Sequence, residues 1–236
     1  MNKLKILLIL WIIFFVSACG TPPRPHALIL GSTAGWFIDE AGYKVLSNIE
    51  VNSLKVRHVS RTSNTCKSGR YEHIEISGPI GPDSSEVVQR VLEKLEKCLK
   101  TDNSGYISAY VYINSSGGLL KDGYKLGEAF KTFQVTTQIT KNQVCASSCA
   151  IAFLGGKFRV MTDDAKLIFH APYIPNGSSI ECASKLESKE MKGFFNNFLG
   201  SKNGDFLFDR TMSFCSKSEG WTINADAAKL FGITTQ

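Results

Sequence analysis

The chain is 236 residues long, carries a formal net charge of +6, and is 43% hydrophobic and 20% charged. Its length fits one domain able to bury a sizeable core. Lys and Arg are spread along it with no block of five, so neither a nucleic-acid footprint nor a polybasic membrane arm is indicated.

The first elements concern export. MNKLK is followed by an apolar run from Ile6 to Val16 and then by Ser17, Ala18 and Cys19, the order of a charged n-region, an h-region and a small-residue cleavage site. As a helix that run spans about 16 Å, too short for a hydrocarbon layer of roughly 30 Å. Val16-Ser17-Ala18-Cys19-Gly20 resembles the bacterial lipobox. The resemblance implies residues 1–18 as a lipoprotein signal peptide, cleavage before Cys19 and acylation of Cys19, with a membrane-bound product. Gly20 after the cysteine implies, by resemblance to lipoprotein sorting, a periplasm-facing protein at the outer membrane of a Gram-negative bacterium. An ordinary signal peptide with a cysteine at its cleavage site is the alternative. Residues 19–27, with the Pro-rich stretch TPPRPH, read as a tether, and 28–236 as a single α/β domain.

Seven cysteines leave six once Cys19 is assigned to lipid, and an even number in an exported chain suggests disulfides. Nearest-neighbour pairing gives Cys66 with Cys98, Cys145 with Cys149, and Cys182 with Cys215. It is one choice among about 15 pairings of six cysteines, and a buried free thiol is the alternative for any pair.

Short apolar runs in 28–70, including EVNSLKVRHVS, predict a few strands, with His58 and His73 as solvated or hydrogen-bonded strand residues. Tyr71, Ile74 and Ile76 predict a strand, Gly78 to Pro82 a turn, and Asp83 with Glu86 a capping-box start. Val87, Val88, Val91, Leu92, Leu95 and Leu99 then recur at helical spacing. YISAYVYIN has the continuous apolar character of a strand covered on both faces. It ends in Ser115-Ser116-Gly117-Gly118, before a helix around Lys121 to Lys131.

FQVTTQIT predicts the next strand and leads into QVCASSCAIAFLGG, whose segment from Ala150 to Leu154 reads as a small buried helix. FRVM and AKLIFH predict two further strands. After Pro175 the pattern turns helical, with Met191, Phe194, Phe195, Phe198 and Leu199 on one face, then a short helix from Phe206 to Phe214. NADAAKLFGI predicts a last helix capped by Asn224 and stopped at Gly232. Strand–helix alternation implies parallel strands with right-handed crossovers.

Acyl transfer by a serine needs an exposed hydroxyl, a base, something that orients the base, and N–H donors for the oxyanion. Gly117-Gly118 can supply the donors, since no Cβ obstructs the approach. Ser147 or Ser148 stands at a helix entry, and His170 ends the strand KLIFH. VYINSSGG, the serine-bearing turn followed by AFLGG, and LIFHAP resemble, in this order and spacing, the Clp protease proteolytic subunit and its exported relatives in the Clp/crotonase superfamily. ISGPIGPDS and CASSCA resemble more narrowly the secreted Clp-like proteins. The resemblance runs from Tyr71 to Ile233, about two-thirds of the chain.

That resemblance implies repeated ββα units, with a mostly parallel sheet flanked by helices. It also implies a serine peptidase with Ser147 as nucleophile, His170 as general base, and Gly118 with the Ser148 N–H as oxyanion hole; Ser148 is the runner-up nucleophile. The substrate it implies is a peptide or unfolded protein, with no cofactor and no metal, and homo-oligomers remain open. Two positions depart from the pattern: Ser116 stands where the family has proline, and the family's aspartate falls on Gly220. Glu219, and after it Asp209, are the nearby carboxylates. A catalytically weak or inactive binding or scaffold lipoprotein is therefore a second reading, and a crotonase-like acyl-thioester enzyme a third.

Overall fold

A computed structural model describes residues 44–60, 72–96 and 109–235. The leader, Cys19, the tether, Cys66, Cys98 and Leu99 lie outside the described residues.

EVNSLKVRHVS folds back on itself: β1 (Lys44–Val51) and β2 (Leu54–Ser60) pair antiparallel around Asn52 and Ser53, both at positive φ. β3 (Glu72–Ser77) pairs antiparallel with β2, and every one of its residues is buried. His58 Nε2 meets Glu72 at 2.8 Å and His73 Nδ1 meets the Tyr112 hydroxyl at 3.2 Å, so both histidines have partners within the sheet.

α1 (Ser84–Glu96) buries Val87, Val88, Val91, Leu92 and Leu95 on one face, as the helical spacing predicts. The expected capping box differs. Asp83 takes a left-handed φ of 65° and contributes its backbone carbonyl to Val87 N–H. The side-chain bonds instead come from the next two serines: Ser84 Oγ accepts from Gly81 N–H, and Ser85 Oγ donates to Asp122 at 3.0 Å.

β4 (Ala109–Asn114) leads to α2 (Leu120–Thr132) and β5 (Thr136–Ile139). β6 (Val144–Ala146) leads through a sharp turn into α3 (Ser148–Phe153), then β7 (Phe158–Met161) and β8 (Lys166–Phe169). Strands β3, β4, β5 and β7 run parallel, in a six-stranded sheet ordered β1-β2-β3-β4-β5-β7. A hairpin of β9 (Tyr173–Asn176) and β10 (Ser179–Cys182) stands where helix was expected.

α4 (Lys189–Met212) contains both expected helices, broken at Gly200 (φ 75°, ψ 159°). β11 (Trp221–Ile223) pairs antiparallel with β8, and β8 runs parallel to β6, making a second sheet ordered β11-β8-β6. α5 (Ala225–Leu230) begins at Asn224, whose side chain accepts from Ala227 N–H. The core lies between the sheets and α1, α2 and α3, with Phe130, Phe153, Phe169 and Phe195 fully buried.

Arg159 ties the end of the chain to this core. Its buried guanidinium donates to the carbonyls of Ile233 and of Gly156, the latter at 3.1 Å, and burial pushes its pKa down to about 10, so it stays charged at neutral pH. Arg159→Met leaves those acceptors unpaired in a dry site, and the unfolding free energy should fall by about 2–3 kcal/mol. Denaturant titration checks this; a loss under about 0.5 kcal/mol, typical of an ordinary surface change, would contradict it.

Candidate active site

Three parallel strand ends meet at one rim. Ser115, just past β4, bridges Cys145 of β6, with Ser115 N–H donating to Val144 O and Ala146 N–H to Ser115 O. Ala146 in turn is in register with Ile168 of β8. The residues that follow each strand therefore emerge side by side: Gly117-Gly118, Ser147 and His170. Ligands bind at such carboxyl ends, and here the three segments line one cavity of about 450 Å³. Ile151, Phe169 and Met191 supply apolar wall.

Ser147 adopts φ 56° and ψ −126° between β6 and α3, a conformation a non-glycine residue holds only under constraint and one that recurs at functional sites. The constraints are visible. Ser147 N–H donates to Ile168 O at 2.8 Å, and a disulfide joins Cys145 to Cys149 across the turn, both residues fully buried. Ser148 differs from its neighbour. Its side chain is buried, its Oγ has no hydrogen-bond partner, and α2 packs so closely that a Cβ on Gly123 would stand 2.7 Å from Ser148 Cβ.

Gly117 and Gly118 have φ of 91° and 148°. A Cβ at Gly118 would lie 2.1 Å from Ile80 O, and one at Gly117 would lie 2.6 Å from Ser147 Cβ. No other residue fits this approach. Ile80 N–H donates to Gly117 O and Leu119 N–H to Ile80 O. Since backbone groups alternate in direction along an extended segment, the Gly118 N–H faces away from Ile80.

His170 is 7% exposed, and its Nδ1 lies 2.9 Å from the carbonyl of Ala171. A carbonyl can only accept, so Nδ1 carries the proton and Nε2 presents a lone pair. Burial holds the imidazole below its ordinary pKa, with the Ala171 bond opposing in part. Ser147 and His170 line the cavity without a hydrogen bond between them in this structure; such bonds often tighten only when substrate is bound.

The carboxylate is where sequence and structure part. Glu219 is exposed and does not line the cavity, and its N–H donates to Ser216 Oγ. Asp209 is paired with Lys185 on the surface. At Gly220 a Cβ would stand 2.5 Å from Ile168 Cγ2 and 2.9 Å from Phe169 O, so the backbone leaves no room for an aspartate. Among the described residues the Ala171 carbonyl is the acceptor that orients His170.

That carbonyl is itself held. Ala171 N–H donates to Phe214 O at 2.9 Å and Ala183 N–H donates to Pro172 O at 2.8 Å. Phe214 adjoins Cys215, Ala183 adjoins Cys182, and the two cysteines form a disulfide with Cα atoms 5.8 Å apart. The bridge thus clasps the segment just after His170. Two of the three expected disulfides are present, while Cys66 and Cys98 lie outside the described residues. The sequence pairs Cys182 with Cys215 but does not place that bridge beside His170, and it singles out none of the lining residues Tyr173, Thr211 and Lys217. The one available signal was that Lys217 follows Cys215 by two positions, on a loop which the pairing with Cys182 draws toward His170.

No model of a known protein family matches the chain, and no curated protein sequence matches it. Solved structures do. A point variant of the membrane-bound stomatin-specific protease 1510-N superposes with a TM-score of 0.54 at 12% identity, covering 68% of this chain and 75% of that one. A second variant of that protease, in complex with a substrate peptide, gives 0.53 at 13% identity over 68% and 71%. A ClpP1 variant from Listeria monocytogenes gives 0.50 at 20% identity over 69% and 88%. The fold is Clp-protease-like. At these identities the likeness extends to the fold alone.

Proposed function

We propose that the protein is an exported, lipid-anchored serine peptidase, with Ser147 as nucleophile and His170 as general base. The observation that carries the proposal is Ser147: held at positive φ on a strand-to-helix turn, it lines the same cavity as His170 and Gly118. The neighbour with a bound substrate peptide supports a peptide as the ligand class. Ser147 is preferred to Ser148 because the Ser148 hydroxyl is buried away from the cavity.

Ser147 Oγ attacks the scissile carbonyl carbon while its proton passes to His170 Nε2. The negative charge on the tetrahedral oxygen is met by the N–H groups of Gly118 and Ser148, fixed dipoles that need no reorganisation. Collapse expels the amine, which takes the proton from His170 and leaves an acyl ester on Ser147. A water deprotonated by His170 then releases the acid. The Ala171 carbonyl holds the tautomer this sequence needs. As a neutral acceptor it stabilises the imidazolium less than a carboxylate does, so turnover is expected to be slow. Export is supported by the two disulfides, and anchoring through Cys19 at the outer membrane by the sequence around it.

Treatment of the full chain with a fluorophosphonate tests the proposal: the adduct should map to Ser147 and weaken in His170→Ala. Because burial lowers the His170 pKa and only the neutral imidazole is a base, the labelling rate should fall on acidification with a midpoint below about pH 6.5. A midpoint at or above that value would contradict the described environment. The lack of room for a carboxylate at Gly220 favours a second reading, peptide binding without turnover. Folded, disulfide-intact protein that takes no label from pH 6 to 9 would establish it over the first.

A further inference from the structure

The walls of the cavity are apolar apart from the catalytic groups, a few hydroxyls and one cation. Among the described residues Lys217 is the lysine, arginine or acidic side chain that lines the cavity, and burial pushes the His170 imidazole below its ordinary pKa. Among the described residues no carboxylate lies within ion-pair distance of its ammonium. Its backbone is anchored where it stands. Cys215, two residues before it, is bridged to Cys182, and Ser216 Oγ accepts from the N–H groups of Ser218 and Glu219. The loop thus holds a cation at the solvent-exposed margin of a site walled by Ile151, Phe169 and Met191.

We propose that Lys217 is a specificity-determining residue that pairs with a carboxylate of the bound peptide, so that the site selects acidic peptides or free peptide C-termini over neutral and basic ones. The chemistry follows from the lining: an apolar side chain is accommodated by the wall, a carboxylate meets the ammonium, and a lysine or arginine in that place meets repulsion with no anion to offset it. The inference takes the ligand to be a peptide from the peptidase reading, but it does not require turnover.

Binding separates the two. The full chain carrying Ser147→Ala, in detergent, is titrated with four fluorescent peptides of one apolar sequence: free acid, C-terminal amide, and amides with an internal Asp or Asn. The free acid or the Asp peptide should bind about three- to tenfold more tightly than its neutral counterpart, the range of a partly exposed ion pair. Whichever arm shows the preference identifies the source of the carboxylate. Lys217→Arg should retain the preference, Lys217→Ala should abolish it and Lys217→Glu should reverse it; Lys217 is exposed, so these variants should fold. Equal affinities in both arms, no binding of any peptide, or a preference that survives Lys217→Ala overturns the proposal. Loss of fluorophosphonate labelling with the carboxylate preference intact would count against the peptidase reading alone.

Discussion

Ser147→Ala should reduce peptide hydrolysis by at least about a thousandfold, because removing the nucleophile leaves only oxyanion stabilisation and binding. Ser148→Ala should still take a fluorophosphonate on Ser147. The contrast rests on two adjacent hydroxyls in opposite surroundings. Ser147 faces the cavity, whereas Ser148 is 1% exposed, is pressed by α2, and has an Oγ with no partner. Losing a buried hydroxyl that makes no hydrogen bond is close to neutral for stability, and the Ser148 N–H assigned to the oxyanion survives the change. Hydrolysis of an unstructured peptide together with mass mapping of the adduct checks both variants. Loss of activity in Ser148→Ala with retention in Ser147→Ala would exchange their roles.

Removing the second disulfide should affect stability and catalysis together. The Cys182–Cys215 bridge closes a span of 33 residues, worth about 3–4 kcal/mol in chain entropy. In a domain of this size that corresponds to a fall of roughly 10 °C in Tm. A purely structural bridge would do no more. Here Phe214 and Ala183, the neighbours of the two cysteines, donate or accept the backbone bonds that hold Ala171 and Pro172. In the Cys182→Ala/Cys215→Ala double variant His170 should therefore gain solvent and lose its fixed acceptor. Below the Tm of the variant, kcat should fall about tenfold, within the usual contribution of a positioned base, and the acid limb should move up toward pH 6.5. A lowered Tm with an unchanged pH profile would show that the clasp acts on stability alone.

How much of this was legible in the sequence depended on where each residue's partners lie. The apolar runs of β3 and β4 and the spacing of Val87, Val88, Val91, Leu92 and Leu95 announced their elements, because burial writes a period into the chain. Asn224 and Gly232 marked the ends of the last helix through local hydrogen bonding. The β9–β10 hairpin carries no strand signal, because most of its residues are exposed and Pro175 lies within it, so neither alternation nor composition identifies strands. The glycine pair, the serine turn and the histidine were visible as separate motifs. Their meeting at one rim depends on the register of Ser115 with Cys145 and Ala146 with Ile168, a long-range pairing that no local pattern encodes. The orienting group was missed for a different reason: the expected carboxylate is a side chain, while the Ala171 carbonyl is backbone and leaves no mark in sequence.

The convergence of Ser147, His170 and Gly118 is tested most directly by a crystal structure of the fluorophosphonate adduct. The predicted result is a phosphonyl group on Ser147 Oγ, with its oxygen about 3 Å from both the Gly118 and Ser148 nitrogens and His170 Nε2 facing Oγ. An adduct on any other residue, or one on Ser147 whose phosphonyl oxygen points into solvent with both amides unengaged, would contradict the account.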